Sequence, residues 1–365
     1  MADSRFPDTW APYMTWAKHH PNARYDLTGS NLLPCTIDEL PGAREALDLY
    51  DRNDDGWPPL VAAIAARYGV DAARVATAPG ASGANFMALA ALVRPGDTAL
   101  VEWPGYDPHG GAARFLGARV NTFERGWHDR FALIPERVKA ALTPETRAVV
   151  ITNLHNPSGA YAAPDALREV GELARSVGAK VIVDEVYLDA LSGLDPRPAA
   201  TLDDVFVSTN SLTKSYGLSG LRVGWMIADP GTVERALRVR DVVDAVGSIP
   251  SDLLGTLAFQ QIDTLLSRAR GVLEPGQTLM RDFMASRSDL QWVQPIGGAV
   301  AFPRLVEIDD AEPFVEMAAA EFDVGVTPGC FFGAPEHFRV AVAGKRSILE
   351  SGLEALGRAL DRGLS

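Results

Sequence analysis

The sequence predicts an α/β protein built on a mainly parallel sheet between about residues 75 and 226. Three observations lead there. Short β-branched runs, such as VVIT at 149–152 and KVIV at 180–183, alternate with stretches of helical spacing, such as Leu167, Val170, Leu173, Ala174 and Val177. The apolar runs end in turns rich in Gly, Pro and Asn. Hydrophobic residues make up 47% of the 365 and charged residues 22%, which suits one large α/β domain with a smaller lobe.

Composition also excludes. Against 34 Lys and Arg stand 47 Asp and Glu, a formal charge of −13. An acidic chain is a poor fit to nucleic acid or an anionic membrane, although a local pocket can still hold a small anion. Cys35 and Cys330 lie far apart, without C-x-x-C spacing, so neither a disulfide framework nor a zinc site is expected and a reducing compartment is. The first residues, MADSRFPDTW, lack an apolar signal core, and no apolar run is long enough to span a bilayer; a soluble cytoplasmic protein is expected.

In chain order, residues 25–30 read as a short extended piece ending in a turn at Gly29. From Tyr50, the segment YDRNDDGWPPL leads into a helix marked by Leu60, Ile64 and Tyr68, with Pro59 suited to its first turn. Gly80, Ala81, Ser82 and Gly83 then precede an apolar helix over 86–93. Backbone N–H groups at such a start make a phosphate site, though most glycine-rich turns cap helices without a ligand. Residues 98–103 form the next strand, and its end, Glu102-Trp103-Pro104-Gly105-Tyr106, places aromatics where α/β sheets keep their ligands; Tyr106 and Trp103 are both candidates. A helix, a strand over 118–123 and a loop rich in Arg and Trp over 124–130 follow. The strand 149–152 runs into the turn Asn156-Pro157-Ser158-Gly159. The strand 180–183 ends in Asp184-Glu185-Val186-Tyr187, and a carboxylate at the end of a buried strand is costly unless paired.

The stretch 205–226, VFVSTNSLTKSYGLSGLRVGWM, organises the rest. A polar loop over 208–220 lies between two apolar runs and carries Ser211 and Lys214, with Arg222 just beyond. A lysine amine condenses with an aldehyde, and pyridoxal phosphate (PLP) is the common aldehyde cofactor. Its phosphate calls for hydroxyl and guanidinium donors, which Ser211 and Arg222 can supply. A solvated surface loop is the bland alternative. Farther on, 230–266 reads as mainly helical with a break at Gly247-Ser248-Ile249-Pro250, and 265–284 as a long helix joining two lobes. Arg339 sits on an alternating strand over 338–342, where a lone arginine usually points outward.

The pattern S-x-x-K followed by G-L-x-G-x-R-x-G-W resembles the PLP-lysine region of the class I/II aminotransferases of fold type I, the aspartate aminotransferase-like enzymes. The resemblance extends in order through Tyr106, Asn156, Asp184, Tyr187, Ser211, Lys214, Arg222 and Arg339. It implies that Lys214 is the Schiff-base residue and that Ser211, Arg222, Ala81 and Ser82 hold the phosphate. It further implies that Tyr106 stacks on the pyridine ring, that Asp184 pairs with the ring nitrogen, and that Asn156 and Tyr187 hydrogen-bond its phenolic oxygen. Arg339 would fork onto the substrate α-carboxylate, with Gly29 lying over it. Lys214, Asp184 and Tyr187 would carry the catalysis. Tyr50 would reach the phosphate of the neighbouring subunit, although the spacing from Tyr50 to Gly56 is one residue longer than the family form. His155 stands where the family usually has proline, which puts a titratable ring near the site.

A fold type I PLP-transferase is thereby implied: a mainly parallel large domain over 49–265, and a smaller α+β domain from 1–48 and 266–365. A homodimer with sites at its interface follows, as does transfer of an amino group between an L-amino acid and a 2-keto acid. A C–S β-lyase is the alternative within PLP chemistry. A non-catalytic PLP-binding effector domain needs a DNA-binding segment in front, and only about 70 residues, most of them matched to the family, precede the sheet. A nicotinamide dehydrogenase is opposed by the lack of G-x-G-x-x-G after the first strand, and a penicillin-binding protein by the lack of SDN and KTG. Side-chain specificity is not given: no second arginine stands out, and the pocket is expected to draw on loops near 15–24, 124–130 and 241–251.

Overall fold

One seven-stranded sheet runs, in spatial order, through Val75–Pro79, Val223–Ile227, Phe206–Ser211, Lys180–Asp184, Thr146–Thr152, Thr98–Trp103 and Arg119–Glu124. Neighbours pair in parallel except at Val223–Ile227, which is antiparallel to both strands beside it. The computed structural model describes residues 9–193 and 197–363. The sheet is buried on both faces, which is why its strands read as continuous apolar runs rather than alternating ones. Side chains still alternate. Ala148, Val150, Ile182, Val207 and Met226 face one side, against the helices Gly80–Leu92 and Pro230–Val243. Val149, Ile151, Val181, Val183, Phe206 and Trp225 face the other, against Pro58–Tyr68, Pro164–Ser176 and Ile249–Gln260.

Two elements differ from the sequence expectation. The strand expected over 205–207 continues to Ser211, so Ser208, Thr209, Asn210 and Ser211 are buried sheet rather than loop. Their side chains are satisfied internally: Ser208 accepts from the Ala200 amide, Thr209 donates to Asn85, and Asn210 donates to Asp189. The helix expected from residue 86 begins at Gly80, so the small-residue turn is its first turn.

A second cluster gathers Leu27, Met280, Phe314, Val324, Phe338, Val340 and Leu356, drawn from both ends of the chain. The long helix Ile262–Ala285 leads into it. Tyr25–Asp26 pairs in parallel with Val324–Gly325, and the Ala341 amide donates to the Leu27 carbonyl at 2.8 Å. The N-terminal segment is thus fastened beside Phe338–Ala341, the strand that carries Arg339.

Candidate active site

Six of the sheet strands point their carboxyl ends to one edge, where open α/β sheets bind ligands. Because Val223–Ile227 runs the other way, its start lies at that same edge, and Arg222, one residue before it, is delivered there. A cavity of about 690 Å³ opens at this edge, lined among others by Ala81, Ser82, Tyr106, Asn156, Asp184 and Lys214. Gly29, Tyr187, Ser211 and Arg222 line it too. All ten of these residues, singled out in the sequence, line one cavity, and Arg339 lies just behind its wall.

At one end, the first turn of Gly80–Leu92 presents unpaired backbone N–H groups, the positive end of a helix dipole. Gly224 lies against the Gly80 backbone, and Gly80 against the Arg222 guanidinium; a Cβ at either glycine would collide. The two glycines therefore let the arginine close against the helix start. Arg222 adopts a left-handed backbone, φ 54°, and makes only long contacts, to Thr213 Oγ1 and the Pro79 carbonyl, both 3.3 Å, and to the Ser219 carbonyl at 3.4 Å. Among the described residues no carboxylate pairs with it. Ser211 Oγ accepts from the Thr213 amide at 3.3 Å on the same side. Guanidinium, hydroxyl and helix amides converge as an anion cradle, which fits a phosphate group.

At the centre, Asp184 ends its strand and is only 5% exposed. Its Oδ2 accepts from Asn85 Nδ2 at 2.7 Å and lies 3.2 Å from His109 Nε2; its Oδ1 accepts from the Val186 amide at 3.3 Å. Asn85 is held in turn by the Thr209 hydroxyl. Tyr187 donates to the Ser30 carbonyl at 3.3 Å, and burial pushes its phenol up to about 12, so it is a neutral donor at physiological pH. Tyr106 lies edge-on to His109 with centroids 5.2 Å apart. An aromatic ring beside a fixed carboxylate and phenol matches the polar outline of a pyridinium phenol.

Toward the N-terminal segment, Lys214 Nζ donates to Ser30 Oγ at 2.9 Å and Asn31 Oδ1 at 2.7 Å. Burial, and then the nearby Arg339 charge, lower its amine from 10.5 to about 7. Such an amine is half neutral at neutral pH and therefore nucleophilic. Arg339 is fully buried. It donates to Asn156 Oδ1 at 3.2 Å, to the Thr28 carbonyl at 3.0 Å and to the Tyr13 hydroxyl. Its Nε has no partner, and among the described residues no carboxylate pairs with it. A buried guanidinium answered only by neutral acceptors is costly, and an anionic ligand would relieve it. Because Asn156 offers its oxygen to Arg339, its NH₂ end is the donor left for the cavity. Gly29 needs no special backbone and has open space where a side chain would go, so its contribution is room.

Other expectations land elsewhere. Tyr50 is 87% exposed and outside this cavity. Trp103 lines a separate cleft with Trp127 and Arg304, so of the two candidates for stacking only Tyr106 is at the site. His155 corrects the expectation of a titratable ring near the site. It is fully buried, and burial holds it well below its usual value. Its Nε2–H donates to the Pro104 carbonyl at 2.9 Å, so Nδ1 accepts from Ser158 at 2.6 Å. The ring ties one site turn to another and stays neutral. Of the three candidate loops, only 15–24 reaches the cavity, and it is helical to His19; 124–130 lines the Trp103 cleft, and 241–251 a recess beside Arg222. Tyr13, Ser30, Asn31, Asn85 and His109 carried no motif. Asn85 alone left a signal, as a polar residue one turn after Ala81 on an apolar helix.

The sequence profile of the family described as aminotransferase class I and II matches residues 23–356. Capreomycidine synthase of Streptomyces vinaceus is 31% identical, over 96% of this chain and 93% of its own. The structure of a PLP-dependent aminotransferase from Streptococcus suis superposes with a TM-score of 0.91 at 26% identity, covering 98% of this chain and 99% of that one. The PLP-dependent cyclase OrfR superposes with a TM-score of 0.88 at 27% identity, and both chains are covered completely. The fold type I architecture, the anion cradle and the lysine among neutral partners thus meet in a protein whose cofactor is pyridoxal phosphate, and the chain belongs to the class I and II aminotransferase family.

Proposed function

We propose that the chain moves an amino group between an L-amino acid and a 2-keto acid, with Lys214 as the residue that reacts with the cofactor. The observation that carries this reading is the placement of Lys214 in the same cavity as Asp184 and the Arg222 cradle; burial there also lowers its amine to about 7. Bound pyridoxal phosphate supplies an aldehyde for the amino group and an electron sink for the charge left at the substrate Cα. Ala81, Ser82, Ser211 and Arg222 hold its phosphate. Asp184, fixed by Asn85 and His109, would keep a proton on the ring nitrogen. Tyr187 and the Asn156 amide would donate to the phenolic oxygen, and Tyr106 would cover one ring face. Arg339 grips the α-carboxylate by two parallel N–H bonds, which lysine cannot match. That grip would orient Cα–H toward the Lys214 side, where the neutral Nζ would accept the proton and carry it away from Cα. Proton transfer at Cα is favoured over loss of the carboxylate.

We assign the large PLP-binding unit to 49–265 and the smaller to 1–48 with 266–365, supported by the pairing of Tyr25–Asp26 with Val324–Gly325. The second copy of a homodimer is proposed to cover Leu49, Tyr50 and Val242, which are 86%, 87% and 89% exposed. Asn53 joins the 247–252 segment through Gly247 and Asp252, so this apolar strip flanks the recess beside Arg222. Tyr50 then reaches the partner's phosphate site. Two free cysteines fit a cytoplasmic protein, and no helix among the described residues is long and apolar enough to cross a membrane.

A second reading is a PLP-dependent cyclisation. It is favoured by the match to capreomycidine synthase over 96% of the chain and to a cyclase over all of it. A screen of amino donors with keto acceptors separates the two. Transamination consumes one keto acid per donor, whereas cyclisation or β-elimination turns over with no acceptor present. Turnover that never depends on an acceptor would overturn the first reading.

A further inference from the structure

Arg339 is approached by a side chain that no motif announces. Tyr13 belongs to the helix Pro12–His19 and is 6% exposed. Its hydroxyl accepts from Arg339 Nη2, and the guanidinium carbon lies 4.9 Å from its ring centroid. Tyr13 lines the cavity while Arg339 does not, so the phenol stands between the two. A carboxylate that forks onto Arg339 from the Nε edge needs Nε and Nη2. Nε is without a partner, but Nη2 is shared by the Thr28 carbonyl and the Tyr13 hydroxyl. The Thr28 carbonyl is also held by the Thr327 hydroxyl at 3.0 Å. The Tyr13 hydroxyl is the partner that can leave, because it rides on an eight-residue helix with no side-chain cap at its start. The polar contacts that tie that helix to other elements are few: the Tyr13 amide to Asp107 Oδ2 at 3.1 Å, the Tyr106 hydroxyl to Met14 Sδ at 3.4 Å, and His20 to Thr28 Oγ1 at 3.4 Å. Ring packing of Tyr13 and Trp16 on Phe331 and of Tyr13 on Phe332 accompanies them.

We propose that the Tyr13 hydroxyl holds the place of one carboxylate oxygen on Arg339, and that the helix Pro12–His19 gives up this contact when a substrate α-carboxylate binds. Tyr13 is thus a positioning residue that sets how readily Arg339 is reached. The proposal rests on the reading of Arg339 as the carboxylate clamp.

The test uses holoenzyme and propionate, a carboxylate that cannot react, with binding measured by calorimetry. Tyr13→Phe keeps the ring but removes the competing acceptor. A hydrogen bond to a charged donor no longer has to be broken, so propionate should bind roughly three- to tenfold more tightly. A merely structural tyrosine would give equal or weaker binding, and that result overturns the proposal. Arg339→Lys separates the two readings. Unchanged propionate binding in Arg339→Lys defeats the clamp itself. Weakened binding there, without tightening in Tyr13→Phe, defeats only the Tyr13 proposal. Hydrogen exchange on the wild-type protein gives a readout free of mutation: propionate should reduce protection over residues 13–19, and unchanged or increased protection counts against release of the helix.

Discussion

Asp184 and Asp189 lie on either side of the same strand-to-helix turn, and both are nearly buried, at 5% and 7% exposure. Their surroundings differ. Asp189 Oδ2 accepts from Tyr68 at 2.8 Å, Asn210 at 2.8 Å and Tyr216 at 2.9 Å, and none of these groups faces the cavity. Burial raises the Asp189 carboxyl while the two phenols and Asn210 pull it back; burial and Asp189 in turn hold both phenols protonated. That cluster is closed. Asp184 is fixed from behind by Asn85 and His109 but fronts the cavity. Arg339, which no carboxylate among the described residues answers, resembles Asp184 in this respect, whereas the fully buried Arg125, although its Nη2 is unpartnered, is answered by the Glu102 carboxylate and lines no part of the cavity. Burial of a charge therefore does not mark function here, and neither does one orphaned nitrogen; what marks it is a buried charge at or just behind the cavity whose partners leave that direction unanswered.

The largest effect expected from this contrast is on turnover. Asp184→Ala should retain PLP yet lose roughly a hundredfold or more in kcat, because electrostatic support of this kind is worth several kcal/mol. Near wild-type turnover would place Asp184 away from the ring. Asp189→Ala should show the reverse pattern. Three donors would be left in an apolar interior, so urea unfolding should show a loss of about 2–4 kcal/mol, while kcat of the folded fraction stays within about threefold. Equal damage to turnover from both variants would erase the distinction between open and closed carboxylates.

Arg339→Lys should raise KM for amino-acid donors by roughly tenfold or more with a smaller change in kcat, through loss of the fork. A change confined to kcat would mean that Arg339 does not hold the carboxylate. The smallest effect concerns pH. Only the neutral Lys214 amine attacks an aldehyde, and burial with the Arg339 charge brings it to about 7. Capture of PLP by the apo-protein, followed by absorbance, should therefore rise between about pH 6 and 8 and then level off. A rate still climbing tenfold per unit above about pH 9 would indicate a lysine at its ordinary value.

The same contrast explains what the sequence could reveal. Strands 146–152 and 180–184 were legible because burial on both sheet faces forces continuous β-branched runs. Asp184, Asn156 and Lys214 were legible because each sits in a short motif at a strand end. The extent of Phe206–Ser211 was not, since its polar half is buried by partners distant in sequence, Asn85 and Asp189 among them. Tyr13, Ser30 and Asn31 were hidden for a related reason: they reach Arg339 and Lys214 only because residues 25–27 pair beside the strands near the other end of the chain. The burial of His155 could not be read either, because the carbonyl that fixes its ring belongs to Pro104, on another turn.

The central claim is that Lys214 is the residue that holds the cofactor, and borohydride reduction of the PLP-loaded protein followed by peptide mass mapping tests it most directly. The account predicts a single phosphopyridoxyl label on Lys214, and its absence in Lys214→Ala. A label on another lysine of the native protein, or none despite saturating PLP, would contradict it.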